Sequence, residues 1–154
     1  MELNNDFKEF IQLLNANGVK YLVVGGYAVG YHGHPRYTKD IDVWTMMERS
    51  NAENAVAAIK QFGFASLGLT EEDFLDTENI IQLGYPPNRI DLLTDLSGVD
   101  FEACFAQKVT VDFEGVPINF ISLDDLIKNK ESTKRTQDMA DAEKLKKIKK
   151  NNLL

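Results

Sequence analysis

The sequence is poor in cysteine and in long apolar runs, and it has no excess of basic charge. Cys104 is the only cysteine, which excludes an internal disulfide and a cysteine-rich zinc site and predicts a buried apolar thiol. The longest apolar runs, such as 21–24, are far too short to span a membrane. A net charge of −7 argues against a broad, sequence-independent grip on nucleic acid.

The N-terminus lacks the apolar stretch of a signal peptide, since acidic and basic residues interrupt positions 1–12. We therefore expect a cytoplasmic protein. The 154 residues, with 44% hydrophobic and 27% charged, are ordinary for a globular protein and predict one domain over 1–154.

One basic cluster stands out against the acidic total. It comprises Lys144, Lys146, Lys147, Lys149 and Lys150 near the C-terminus. The favoured interpretation is a solvated helix end stabilised by the helix dipole, and the alternative is contact with a phosphate backbone.

Hydrophobic periodicity and turn residues predict alternating helices and strands. Helices are expected after Asn5, from Tyr27 to Gly33, around 52–59, after Ser122 and over 136–150. Strands are expected at 21–24, 38–44, 79–83, 89–94, 108–113 and 117–121. The pattern indicates an α+β (or α/β) domain whose mixed sheet comes mainly from the middle of the chain.

An acidic pair lies in the second predicted strand. Residues two apart on a strand share a face, so Asp40 and Asp42 project together while Ile41 points into the core. Thr38 is expected on the same face. Two adjacent carboxylates repel one another unless a cation neutralises them, and oxygen ligands favour magnesium or manganese. The alternative is a solvated strand end.

A glycine pair precedes this acidic strand. Gly25-Gly26 follows an apolar strand and precedes a helix, where a backbone without side chains lets phosphate oxygens approach N–H groups. A glycine pair alone usually only permits a turn. Joined to Asp40 and Asp42 after a spacer of thirteen residues, it predicts a nucleotide-phosphate site.

These residues together resemble the nucleotide-binding core of the polymerase β-type nucleotidyltransferases. The resemblance rests on 24–29, His32-Gly33, Arg36, Thr38 and 40–44. It is strongest to small bacterial enzymes related to the toxins of abortive-infection and toxin–antitoxin systems. It implies a nucleotidyltransferase fold with a mixed sheet flanked by helices, a third carboxylate on a neighbouring strand, and transfer of a nucleoside monophosphate with release of pyrophosphate.

The resemblance assigns further roles along the chain. Asp91 matches the third carboxylate, and Asp95 is its nearest competitor. Arg36 is expected to clamp a phosphate in a bidentate manner. Lys130 matches a basic residue that reaches the triphosphate, although a solvated lysine is the alternative. Arg135, Asp138 and Asp141 favour a structural ion-pair network over direct catalysis.

The expected activity is metal-dependent transfer from a nucleoside triphosphate to a hydroxyl of RNA or tRNA, a protein or a small molecule. Asp40, Asp42 and Asp91 would hold two Mg²⁺ or Mn²⁺ ions, with Asp91 also taking the hydroxyl proton. Gly25, Gly26, Arg36, Thr38 and Lys130 would bind the nucleotide.

Two alternatives stay open. One is a catalytically silent nucleotide-binding module, and the other is a toxin–antitoxin component controlled by an antitoxin-type partner. The chain also departs from the wider superfamily, because Gly26 replaces a common serine, and we expect the acceptor to bind on this small domain or on a partner. His32 and His34 lack a third soft ligand, so hydrogen-bonding loop histidines are expected there.

Overall fold

Strands and helices alternate through the computed structural model, which describes residues 3–35, 38 and 40–153. The strands are β1 (Tyr21–Val24), β2 (Ile41–Thr45), β3 (Ile80–Leu83), β4 (Ile90–Leu93), β5 (Val109–Phe113) and β6 (Val116–Phe120). The α-helices are α1 (Asn5–Ala16), α2 (Gly25–Tyr31), α3 (Arg49–Ile59), α4 (Phe101–Ala106), α5 (Leu123–Ser132) and α6 (Thr136–Asn152). A π-helical turn (Lys60–Phe64) and 3-10 turns (Ala65–Leu67 and Glu71–Phe74) connect α3 to β3.

The six strands form one mixed sheet in the order β3-β4-β2-β1-β6-β5. β2 runs parallel to β4 and antiparallel to β1, while β1 runs parallel to β6. The outer strands β3 and β5 pair antiparallel with β4 and β6. The C-terminal end of β1 therefore meets the N-terminal ends of β2 and β4 at one edge of the sheet.

Alternation along β2 separates its two faces. Ile41 and Val43 are 1% and 0% exposed, and α1 contacts both α3 and β6 within the same continuous apolar core. On the opposite face, Trp44 contacts the ring of Phe101 in α4 with 5.0 Å between centroids. Asp42, two residues before Trp44, shares that second face but lies where the strand begins.

Most predicted elements are confirmed to within one to three residues, and the α+β fold is confirmed. The N-cap of α1 is Asn4 rather than Asn5, because its side chain accepts from Phe7 N at 2.8 Å. β2 starts at Ile41 rather than Thr38. The six-residue α4 was not predicted, since it is too short to show a helical period. Cys104 is buried within it, as expected.

In the described part of the chain, none of the helices is both long and apolar enough to cross a lipid bilayer.

Candidate active site

Three aspartates lie together at the edge of the sheet where β2 and β4 begin. Asp42 and Asp91 are register partners on these parallel strands, and Val24 of β1 lies opposite Asp42 on the other side. Neighbouring strands are only about 4.8 Å apart, so in-register side chains on one face are adjacent. Asp40 immediately precedes β2. The three aspartates are therefore neighbours at the start of β2 and β4.

Arg89 lies among these carboxylates and connects two of them. Its Nη2 is 2.8 Å from Asp40 Oδ2, and its Nε donates to Asp91 Oδ1 at 2.8 Å. A second hydrogen bond runs from Nη2 to Asp91 Oδ2 at 3.1 Å. The pKa of Arg89 is raised, first by the hydrogen bond with Asp91. Sequence reasoning missed Arg89, although its position two residues before Asp91 was a usable signal, because alternation along a strand places both side chains on one face.

The ionisation of Asp42 is perturbed by burial and by its neighbours. Burial, together with the negative charges of Asp91 and Asp40, raises its pKa from 3.8 to about 6, against the opposing effect of Lys130 and Arg89. Among the described residues, no hydrogen bond or ion pair reaches its carboxylate. Asp42 is thus a largely buried acid whose charged form is disfavoured by its surroundings.

The cluster was tested for its fit to a hard divalent cation. All three donors are carboxylates, and within the described part of the chain the buried Oδ1 of Asp40 has no hydrogen-bond partner. No group of three or more Asp, Glu, His or Cys side chains forms a ready-made metal site within residues 3–35, 38 and 40–153. Two of the three acids face Arg89 instead. Magnesium is usually held by one or two carboxylates plus substrate phosphates, so this donor set fits a site completed by substrate.

Gly25 makes the close backbone approach to the acidic cluster. It has a φ of +65°, and a Cβ built there would lie 3.0 Å from Asp42 Cγ and overlap Oδ2. Both the backbone conformation and the space therefore require glycine. Gly26 faces Thr38 instead, since a Cβ added at Gly26 would lie 3.0 Å from Thr38 Oγ1. Thr38 donates from Oγ1 to the carbonyl of Asp40 at 3.1 Å and lies before β2, not on the strand as expected.

A cleft of about 410 Å³ joins the acidic cluster to the helices α5 and α6. Asp42, Asp91 and Gly25 line one side, and Lys130 lines the other. Ile80, Leu93 and Leu96 form an apolar part of the wall. The cleft therefore brings a carboxylate cluster, bare glycine backbone and a cation within reach of one small ligand.

The ion-pair network predicted for Arg135, Asp138 and Asp141 also includes Lys130, which was not predicted to belong to it. This residue is 7% exposed, and its Nζ lies 3.0 Å from Asp138 Oδ1 and 3.6 Å from Asp141 Oδ2. Arg135 Nε lies 2.9 Å from Asp138 Oδ2. Burial opposes ionisation of Asp138, but hydrogen bonds from Thr133 and Lys130 lower its pKa. Lys130 is thus a fixed buried charge rather than a solvated lysine.

Two other predictions concern residues around the site. Arg36 lies outside the described residues, so its phosphate contact stays a prediction. His32 makes the expected hydrogen bond, with its Nε2 2.7 Å from the carbonyl oxygen of Ile121. Burial lowers its pKa.

Comparison with known proteins places this geometry in context. The model of a family described as "Nucleotidyl transferase of unknown function (DUF2204)" matches residues 3–154. No curated protein matches the sequence.

Two solved structures show the same fold. The antibiotic-resistance factor ANT(2'')-Ia is 14% identical with a TM-score of 0.52, over 91% of this chain and 80% of its own. An antigenic nucleotidyltransferase-like protein from Paracoccidioides brasiliensis is 15% identical with a TM-score of 0.51, over 93% of this chain and 77% of its own.

Proposed function

The chain belongs to this family of nucleotidyl transferases, and from that premise we propose that it transfers a nucleoside monophosphate from a nucleoside triphosphate to an acceptor hydroxyl, releasing pyrophosphate. The observation that carries the proposal is the in-register pair Asp42 and Asp91, with Asp40 beside it, at one end of a cleft lined by Gly25 and Lys130. A silent binding module has no physical need for three clustered carboxylates. In one of them, Asp42, burial disfavours the charged form.

Asp40, Asp42 and Asp91 are the proposed ligands of magnesium or manganese. Two such ions supply Lewis acidity to the acceptor hydroxyl and to the pyrophosphate leaving group. The Oδ1 of Asp40, which has no hydrogen-bond partner among the described residues, and the raised pKa of Asp42 support this assignment. A divalent cation would relieve both, because it supplies positive charge to buried oxygen atoms.

The triphosphate is proposed to bind between Gly25-Gly26 and Lys130. The overlap of a Gly25 Cβ with Asp42 shows how closely the backbone approaches the acidic cluster. Lys130 neutralises phosphate charge from the opposite wall, and Asp138 and Asp141 prevent it from swinging away. Arg36 is proposed as a second phosphate contact. The side chain of Thr38 packs against Gly26.

The proposed reaction is a displacement at the α-phosphorus. The acceptor oxygen forms a bond to that phosphorus, while the bond from it to the oxygen bridging to the β-phosphate breaks. The electron pair leaves with pyrophosphate. Asp91 accepts the proton of the acceptor hydroxyl.

The acceptor is proposed to enter beside Asp91, along the apolar wall formed by Ile80, Leu93 and Leu96. Labelled triphosphate supplied with total RNA, with cell protein and with small-molecule extract separates the three acceptor classes. An antitoxin-type partner is the proposed regulator, and adding it should abolish labelling in all three mixtures.

The decisive experiment measures nucleotide affinity and pyrophosphate release on the same proteins. Asp91→Asn should retain triphosphate binding yet lower transfer by two or more orders of magnitude, or about 3 kcal/mol of transition-state stabilisation. Asp40→Asn should impair binding and turnover together. Asp95→Asn, an exposed acid on the same cleft, is the matched control and should retain activity.

The opposite result is equally clear. If the parent binds nucleotide but releases no more pyrophosphate than Asp91→Asn, with all four triphosphates, both metals and each acceptor mixture, the silent-module interpretation replaces the enzyme.

A further inference from the structure

Arg89 occupies three of the six carboxylate oxygens of the proposed metal site. It contacts Oδ2 of Asp40 and both oxygens of Asp91 through its Nε and Nη2 atoms, all at 2.8 to 3.1 Å. A guanidinium in this bidentate arrangement makes strong charge-assisted hydrogen bonds. Each oxygen that donates an electron pair to these N–H groups is less available to a cation.

A cation and the guanidinium also carry charge of the same sign. Asp91 is 8% exposed, and this low exposure weakens the screening of charges placed beside it. The two positive groups would then repel one another at short range if both remained on the same acids. Resting on the proposed function, we propose that Arg89 is a built-in counter-ion that competes with the divalent cation for Asp40 and Asp91 and must leave when the cation binds.

The surroundings of Arg89 allow this exchange without a change of fold. Its backbone is anchored, because the carbonyl of Arg89 accepts from Ile41 N at 3.1 Å. Its side chain is 25% exposed and also lines a second cavity of about 300 Å³, outside the acidic cluster, with Tyr85 and Pro86. Gln82 lines both this outer cavity and the main cleft. A rotation of the side chain alone can therefore carry the guanidinium from the acids to the outer cavity.

The competition explains why the acids coexist in one buried cluster. Arg89 pairs directly with Asp40 and Asp91. Without the cation, the guanidinium of Arg89 therefore neutralises part of the negative charge of the cluster. When the cation binds, it replaces this guanidinium. The consequence is a weaker affinity for free metal than the same three acids would have alone.

The test compares Mn²⁺ affinity, measured without nucleotide by isothermal calorimetry and by the electron paramagnetic resonance of free Mn²⁺. Arg89→Gln should bind Mn²⁺ about tenfold more tightly than the parent or better, because the competing ion pairs are gone. The matched control is Arg135→Gln, which removes the same charge from the same cleft but from an arginine paired with Asp138. It should change the affinity by less than about threefold.

Several outcomes would overturn the inference. If Arg89→Gln binds Mn²⁺ no more tightly than the parent, there is no competition. If Arg135→Gln tightens binding equally, general electrostatics explains the effect. If neither the parent nor Arg89→Gln binds Mn²⁺, even when a non-hydrolysable triphosphate is present, the metal site of the proposed function fails and the inference fails with it, which is distinguishable from equal binding by both.

A second measurement avoids dependence on a folded Arg89→Gln variant. The Nε–H resonance of Arg89 in the parent, assigned by its loss in Arg89→Lys, should shift toward that of a solvent-exposed guanidinium as Mg²⁺ is added. The resonance of Arg49, whose pair with Glu72 lies on an exposed surface, should stay unchanged. Saturating Mg²⁺ that leaves the Arg89 resonance in place would contradict the exchange.

Discussion

Asp42 shows what the fold imposes on a single side chain. Placing a carboxylate on the inner face of a sheet, next to two others, disfavours its charged form by removing water and adding like charge. The unfolded chain imposes neither effect. Asp42 therefore opposes folding at neutral pH. This loss of stability is what we expect of a proposed metal ligand, whose charge is needed only when the cation binds.

The sign of the resulting pH dependence follows from linkage. The pKa of Asp42 is about 6 in the folded state, above its ordinary value of 3.8, so folding favours the protonated acid. The stabilisation is complete below the lower value and is lost as pH rises through 6. Between about pH 5 and pH 7.5 the parent should lose about 1–2 kcal/mol from this group.

Asp42→Asn cannot ionise and should escape this loss. The free energy of unfolding is measured with urea in the presence of a chelator. The difference between Asp42→Asn and the parent should shift in favour of Asp42→Asn by about 1–2 kcal/mol from pH 5 to pH 7.5. Asp95→Asn, an exposed acid, controls for the change of net charge. A stability difference between Asp42→Asn and the parent that is the same at both pH values would contradict the assignment.

Gly25 offers a second prediction at this scale. Gly25→Ala forces a Cβ onto Asp42 and keeps a φ of +65° that alanine adopts poorly, so it should lower the free energy of unfolding by about 2 kcal/mol or more. Gly30→Ala in the same helix meets no atom within 4 Å and is the matched control. It should be neutral or stabilising by about 0.5–1 kcal/mol, because alanine favours helix. Thermal and urea unfolding measure both variants. If Gly25→Ala and Gly30→Ala changed the free energy of unfolding equally, the close approach of Gly25 to Asp42 would be contradicted.

Residue patterns predicted part of this site directly. Alternation along a strand was enough to place Asp40 and Asp42 on one side, because that rule is local. The partner of Asp42 across the sheet depends on which strands pair, which is not local, and Asp91 was identified through the family resemblance. Arg89 was missed although its pair with Asp91 is local, because its other contact, with Asp40, depends on the pairing of β2 with β4.

At the scale of elements, the α5–α6 pair forms the second wall of the cleft. Lys130 on α5 is held between Asp138 and Asp141 on α6, and Asn129 donates to the carbonyl of Ser97 at 2.9 Å. Gly98 fits against α5, since its Cβ would lie 2.5 Å from Ser132 Cβ. The contacts of α5 with α6 and with the loop after β4 thus hold the ammonium group of Lys130 opposite the carboxylates.

This arrangement predicts a large effect of removing the lysine charge. Lys130→Met would leave Asp138 and Asp141, which are 6% and 1% exposed, without their shared cation and should destabilise the protein by about 3–5 kcal/mol. Lys128→Met, on an exposed position of the same helix, is the control and should change stability by less than about 0.5 kcal/mol. Urea unfolding measures both. A small loss for Lys130→Met would mean that the buried pairs contribute little.

For the whole molecule, element identities were largely predictable but their arrangement was not. Periodicity predicted the six strands because each has a clear alternating or apolar run. The order β3-β4-β2-β1-β6-β5 depends on pairings between strands far apart in sequence, as between β1 and β6. α4 was missed because six residues are too few to show a helical period, and its ring contact from Phe101 to Trp44 of the sheet is not local.

The assembled fold predicts which regions a bound nucleotide should protect. The cleft is built from residues as distant in sequence as Val24 and Asp138, so one ligand spanning it must stabilise both of its walls. In hydrogen–deuterium exchange, triphosphate with Mg²⁺ should slow exchange at 25–27 and at 133–135 together, because local opening of either wall then requires release of the ligand. The hairpin of β5 and β6 does not line the cleft and should be unchanged, which makes it the internal control. Protection confined to 133–135 would move the triphosphate away from Gly25, and protection of the hairpin would indicate general stabilisation rather than a ligand in the cleft.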